Sequence, residues 1–191
     1  MTVNTLLVFA HSDEAEAFAA VGVPHLITGV GKINATFALS EALLATRAAQ
    51  RPVERVVVLG TAGAIGEPAR LDTVYQVTRV IQHDFSLPSP VVSPAGEIVA
   101  LNTAVLATGD VFVQDDAQRV AIAALGASLV DMESYAYAVV CERLGVPLQL
   151  FKVPSDFADS STTQDEWDGV VVTKSRQLFD FASAHLPELL G

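Results

Sequence analysis

Glu14, Glu133 and Asp156 are far apart in the chain, yet each lies where a hydrophobic run of strand length gives way to a loop or helix. In an α/β domain such strand ends converge on one crevice, so the three carboxylates can line a single site for acid/base chemistry on a small ligand. The leading expectation is an enzyme.

The bounds of the chain fit that expectation. Its 191 residues, 51% of them hydrophobic, suit one compact domain spanning 1–191 with a substantial core. The formal net charge is −11, from 22 acidic and 11 basic residues, and no basic patch is evident. A nucleic-acid or anionic membrane partner is therefore not expected. The segment MTVNTLLVFA has no cationic stretch before its apolar run, which stops at His11, so neither a signal peptide nor a membrane span is expected and the location reads as cytoplasmic. Cys141 is the single cysteine and excludes an internal disulfide; it reads as a small buried hydrophobe. His11, His25, His83 and His185 lack ligand spacing, so neither a metal nor another cofactor is expected.

The elements that must position the acids alternate between β and α. Leu6–Ala10 reads as a buried strand followed by a helix start at Ser12, Asp13 and Glu14. A short apolar piece from His25 to Thr28 leads through Gly29-Val30-Gly31-Lys32 into a helix reaching about Arg47. Val56–Leu59 is a second buried strand, ending in Gly60-Thr61-Ala62-Gly63-Ala64, which reads as a flexible loop that a ligand could approach closely. Strands are expected around 73–82 and 98–107, with an irregular proline-rich loop from Leu87 to Pro94. Asp115–Leu125 reads as helix, Ser128–Val130 as strand, Glu133–Leu144 as a helix ended by Gly145, Val146–Val153 as strand, and about Glu166–Leu190 as a long amphipathic helix. The pattern implies a three-layer αβα sandwich around a twisted, mixed, largely parallel sheet.

Familiar signatures are missing. Gly31-Lys32 does not complete a phosphate-binding loop, and neither a dinucleotide fingerprint nor a serine nucleophile elbow occurs.

Five motifs in order carry a resemblance: Gly29-Val30-Gly31-Lys32-Ile33-Asn34-Ala35, Gly60-Thr61-Ala62-Gly63, Thr108-Gly109-Asp110-Val111-Phe112, Val130-Asp131-Met132-Glu133 and Pro154-Ser155-Asp156-Phe157-Ala158-Asp159. Together they resemble the purine nucleoside phosphorylase and nucleosidase superfamily, most of all its methylthioadenosine/S-adenosylhomocysteine nucleosidase branch. The resemblance implies a nucleoside phosphorylase-like fold, a purine nucleoside as ligand and a homodimer.

It also implies roles. Asp156 would be the acid that protonates the leaving purine; its plainer alternative is a helix or turn cap. Glu133 would accept hydrogen bonds from ribose hydroxyls and stabilise positive charge on the sugar, against the alternative of an acid placed by a helix dipole. Met132 would pack under the sugar or simply sit in the core. Glu14 would position and deprotonate the attacking water, a role its charge would obstruct for phosphate, unless it is only an exposed first-turn acid. Thr61, Ala62 and Gly63 would lie close to ribose and water, Ser155 beside the acid, and Phe112 with Val113 against the purine. Phosphorylases of the superfamily carry an arginine three positions before the residue that here is Thr61; this chain has Val58 there. The chain also has Lys152 where arginine is usual, Thr61 where serine is usual and Pro154 where a small or aliphatic residue is usual. Its links at Ala19–Pro24 and after His83 are short. Hydrolysis of a 5′-modified purine nucleoside is the implied activity, with a phosphorylase or a non-catalytic nucleoside-binding protein of the same fold as alternatives.

Overall fold

The computed structural model describes residues 3–67 and 69–190; Met1, Thr2, Pro68 and Gly191 lie outside them. Seven strands form one sheet: β1 (Thr5–Phe9), β2 (Leu26–Ile27), β3 (Arg55–Ala64), β4 (Tyr75–Gln82), β5 (Thr103–Thr108), β6 (Leu129–Asp131) and β7 (Leu148–Asp156). The helices are α1 (Glu16–Ala19), α2 (Lys32–Ala48), α3 (Asp116–Ala123), α4 (Ser134–Leu144) and α5 (Gln164–His185), with single 3₁₀ turns at Asp13–Ala15 and Pro187–Leu189.

The strands run in the order β2-β1-β3-β6-β5-β4-β7, and β7 pairs again with β3. Only β3–β6 and β4–β7 are antiparallel among these pairings. The sheet is therefore mixed, as the alternating pattern implies, but it closes into a barrel-like ring where a layered sandwich would leave it open. Side chains on β3 show how the two faces are used. Val56 and Val58 join Leu39 and Leu43 of α2 with Tyr137 and Val140 of α4, whereas Val57 and Leu59 join Leu178 and Ala182 of α5. Burial on both faces accounts for the unbroken apolar runs in the sequence.

Several boundaries differ from the sequence reading, each for a local reason. Gly60–Ala64 is not a loop: these residues continue β3 and pair with β7 as far as Gly63↔Asp156, with a register shift at Ala62/Gly63. Their small size serves close packing, because a Cβ on Gly63 would lie 2.7 Å from the Cβ of Ala158 and 3.0 Å from Val130. Likewise β7 runs beyond Val153 to Asp156, with Pro154 beside the irregularity, where a missing N–H is tolerated. Residues 98–102 lie outside β5, and the N–H groups of Val99 and Ala100 donate to the Gln76 side chain. The last helix begins two residues earlier than expected, at a capping box between Thr163 and Glu166, and ends at His185 shortly before Pro187. Gly145 closes α4 with φ 66°, as its position suggests. The Leu87–Pro94 segment is irregular apart from a bridge between Val92 and Val80. Cys141 is buried in α4, and burial pushes its thiol up to about 12. Among the described residues no helix is long and apolar enough to cross a membrane, and no cluster of His, Cys, Asp and Glu could hold a metal.

Candidate active site

The ends of β1, β3, β6 and β7 meet at a cavity of about 260 Å³. Glu14, Thr61, Ala62, Gly63, Phe112, Val113, Met132, Glu133, Ser155 and Asp156 all line it. The structure thus brings the catalytic and substrate-binding candidates of the sequence together at one cavity.

Glu14 sits in the 3₁₀ turn after β1, and it is only 3% exposed, unlike a solvent-facing helix acid. Its Oε1 accepts from the Thr61 backbone N–H at 2.6 Å and from the Thr61 hydroxyl at 2.8 Å, while Oε2 accepts from the His11 N–H at 3.2 Å. Those donors come from β3 and from the turn just past β1, two segments that the β1–β3 pairing holds side by side.

Glu133 occupies the N-cap position of α4, yet its side chain makes no cap bond there. Instead Oε1 accepts from the Gly31 N–H at 2.8 Å. Gly31 has φ 93°, a conformation that glycine alone adopts without strain, and this is what aims its N–H across the fold. Burial, then the Asp131 charge, push the Glu133 carboxyl up to about 8, against the pull of Lys152 and of the Gly31 donor.

Asp156 ends β7. Its Oδ2 accepts from the Ser155 hydroxyl at 2.7 Å and its Oδ1 from the Ala158 N–H at 2.8 Å, so the turn geometry that a capping residue would supply is also present. Ala158 holds this turn with φ 49°, unusual for a residue with a Cβ. Burial raises the pKa of Asp156 above the ordinary value even though three hydrogen-bond donors oppose it.

Lys152 lies fully buried behind these acids, its Nζ 2.9 Å from Asp131. Burial alone would depress its pKa, but Asp131, Glu14 and Glu133 together outweigh that and raise it. Asp131 also accepts from the Ser134 N–H and the Thr108 hydroxyl, which ties it to the start of α4.

The sequence reading did not single out His11, Val30, Val111, Asp131, Gln164, Trp167 and Asp168 as site residues, yet they also line the cavity. Asp131 had a signal, its place in the Val130–Glu133 motif, and His11 lies two residues past the end of β1. Gln164, Trp167 and Asp168 had none, since they enter from the first turns of α5 through folding alone. The arrangement offers a carboxyl with raised pKa, a second carboxylate held by fixed donors, and apolar walls from Phe112, Val113 and Met132. Such a set can donate a proton to one part of a flat polar ligand and activate water at another.

Comparison with known proteins bears on the same residues. Residues 95–186 match the model of the phosphorylase superfamily. The superfamily resemblance carried by the motifs stands. The matched segment holds Asp131, Met132, Glu133, Ser155 and Asp156. An aminodeoxyfutalosine nucleosidase of Helicobacter pylori (strain J99 / ATCC 700824) is 27% identical over 68% of this chain and 65% of its own length. A futalosine hydrolase of Thermus thermophilus is 32% identical over 65% of each. The chain therefore spans slightly less than two thirds of the length of these curated relatives. The crystal structure of Helicobacter pylori 5′-methylthioadenosine/S-adenosyl homocysteine nucleosidase, complexed with a small molecule, superposes with a TM-score of 0.82 at 19% identity. It covers 98% of this chain and 100% of that one, and the fold is shared.

Proposed function

We propose that this chain, acting as one domain across 1–191, hydrolyses the N-glycosidic bond of a purine nucleoside with a modified 5′ position. The observation that carries the reading is the make-up of the cavity wall: Glu14, Asp131, Glu133, Asp156 and Asp168 line it, with no arginine or lysine among the lining residues. A phosphate nucleophile would meet carboxylates without a cationic clamp, whereas a water could give its proton to Glu14.

In this reading water attacks C1′ of the ribose and Glu14 takes a proton from it. The glycosidic bond breaks as Asp156 delivers a proton to N7, so the base leaves neutral. Glu133 faces the ribose hydroxyls and accepts from them, and in its ionised form it stabilises the positive charge that builds on the ring more in the transition state than in the ground state. Phe112 and Val113 bracket the purine, Met132 lies under the sugar, Thr61, Ala62 and Gly63 floor the ribose, and Ser155 holds Asp156. Relatives named for futalosine, aminodeoxyfutalosine and methylthioadenosine fit a substrate of this class. A cytoplasmic location and a homodimer form part of the same proposal.

The test is a panel of adenosine and inosine derivatives, with and without phosphate, followed for free base and ribose. Base release independent of phosphate is expected. Ribose 1-phosphate with negligible free ribose would overturn the reading in favour of a phosphorylase, and tight binding without any release would favour a nucleoside-binding protein.

A further inference from the structure

Trp167 is the single tryptophan of the chain and lies in the second turn of α5, on the cavity wall. Its Nε1–H donates to the Thr61 hydroxyl oxygen at 3.1 Å. The Thr61 hydroxyl in turn donates to Glu14 Oε1 at 2.8 Å. Direction is forced along this chain, because an indole can only donate and a carboxylate can only accept. With one lone pair of Oγ1 taken by the indole, the hydroxyl hydrogen points to Glu14.

Two further features hold the indole in place. The His11 ring packs edge-on against it with centroids 5.4 Å apart, and the same residue's N–H reaches Glu14 Oε2. The Thr163–Glu166 capping box fixes where α5 begins, and so where its fourth residue falls. Glu14 thus takes two donors on Oε1 and one on Oε2, which leaves acceptor capacity on Oε2 for a molecule in the cavity.

We infer that Trp167 is a positioning residue for Glu14, acting through Thr61 to fix which carboxylate oxygen faces the water. The inference rests on the hydrolase reading for its kinetic consequence, while the hydrogen-bond relay itself does not. A tryptophan that merely walls the pocket would affect KM instead.

Trp167→Phe keeps an aromatic wall and removes the donor. In base-release assays kcat is expected to fall about five- to tenfold, the effect of one hydrogen bond, with KM within about twofold. Added to Thr61→Val it should cost nothing more, since the relay is already cut, and Thr61→Ser should restore both the relay and kcat. A Trp167→Phe variant with wild-type kcat, a loss confined to KM, or full additivity with Thr61→Val would overturn the role. The indole N–H of a lone tryptophan gives one side-chain resonance in a ¹H–¹⁵N spectrum, a readout free of activity. It should move upfield and exchange faster in Thr61→Val but not in Thr61→Ser; a resonance indifferent to Thr61→Val removes the relay. If the wild type releases base from no nucleoside, the hydrolase reading fails, and this spectrum still decides the contact.

Discussion

Lys152 holds its Nζ 2.9 Å from the Asp131 carboxylate beneath the cavity, and the two side chains are only 2% and 4% exposed. The pair serves more than its own geometry. Asp131, Glu14 and Glu133 all raise the pKa of Lys152, so one ammonium offsets several buried acids. Removing it leaves those charges uncompensated in a medium that screens them poorly. Lys152→Met should lower the unfolding free energy by about 3–5 kcal/mol, read from urea denaturation. An unchanged midpoint would mean that the acids relax by taking up protons instead.

Glu14→Gln retains the shape of the side chain but cannot accept a proton from water. Its amide must also turn an NH₂ toward one of the donors that now meet Oε1 and Oε2. A drop in kcat of roughly 10²-fold or more is expected in the base-release assay, the range for loss of a general base. Near wild-type turnover in a folded variant would take Glu14 out of the mechanism.

Asp156→Asn separates proton transfer from binding. The amide can still donate to a purine nitrogen, so affinity for a purine ligand should hold within about tenfold while kcat falls by roughly 10²-fold or more. Calorimetry and base release measure the two quantities. Asp156→Ala should weaken both.

Glu133 makes stability depend on pH in a definite direction. Its carboxyl rises from an ordinary value near 4.5 to about 8 on folding, so the folded state binds its proton more tightly. That contribution is fully present below about pH 4.5 and is lost as pH rises through about 8. Glu133→Gln abolishes it. The Tm of the variant relative to wild type should therefore climb between pH 5 and 8, by roughly 2–4 °C for each kcal/mol involved. A Tm difference flat across that range would show that Glu133 keeps its charge in the folded protein.

Much of this was legible in the sequence because the acids are local features of strand ends. Glu14 follows the apolar run that becomes β1, Glu133 follows β6 and Asp156 closes β7, so each was marked by a change of hydrophobic pattern. Helix α4 was bounded by Gly145 and an apolar stripe, both local signals. What stayed hidden depends on the tertiary fold. Gly60–Ala64 has the composition of a loop and becomes strand only because β7 lies alongside it. Trp167 reaches Thr61 across a separation of 106 residues, and no periodicity announces such a contact. Lys152 stood out only as a departure from the superfamily pattern, since its role is set by three acids from other elements.

The second pairing of β7 with β3 has a consequence for how molecules meet in a crowded solution. Once the ring closes, β7 no longer ends the strand order as a free margin, and among the described strands only β2 has a neighbour on one side alone. That strand is two residues long, Leu26 and Ile27. Unpaired N–H and C=O groups on a long strand invite another chain to add itself, and a two-residue strand offers almost no such template. Among the described strands the free margin is thereby reduced to β2 and the first three residues of β1, which β2 does not reach, and a net charge of −11 adds repulsion between copies.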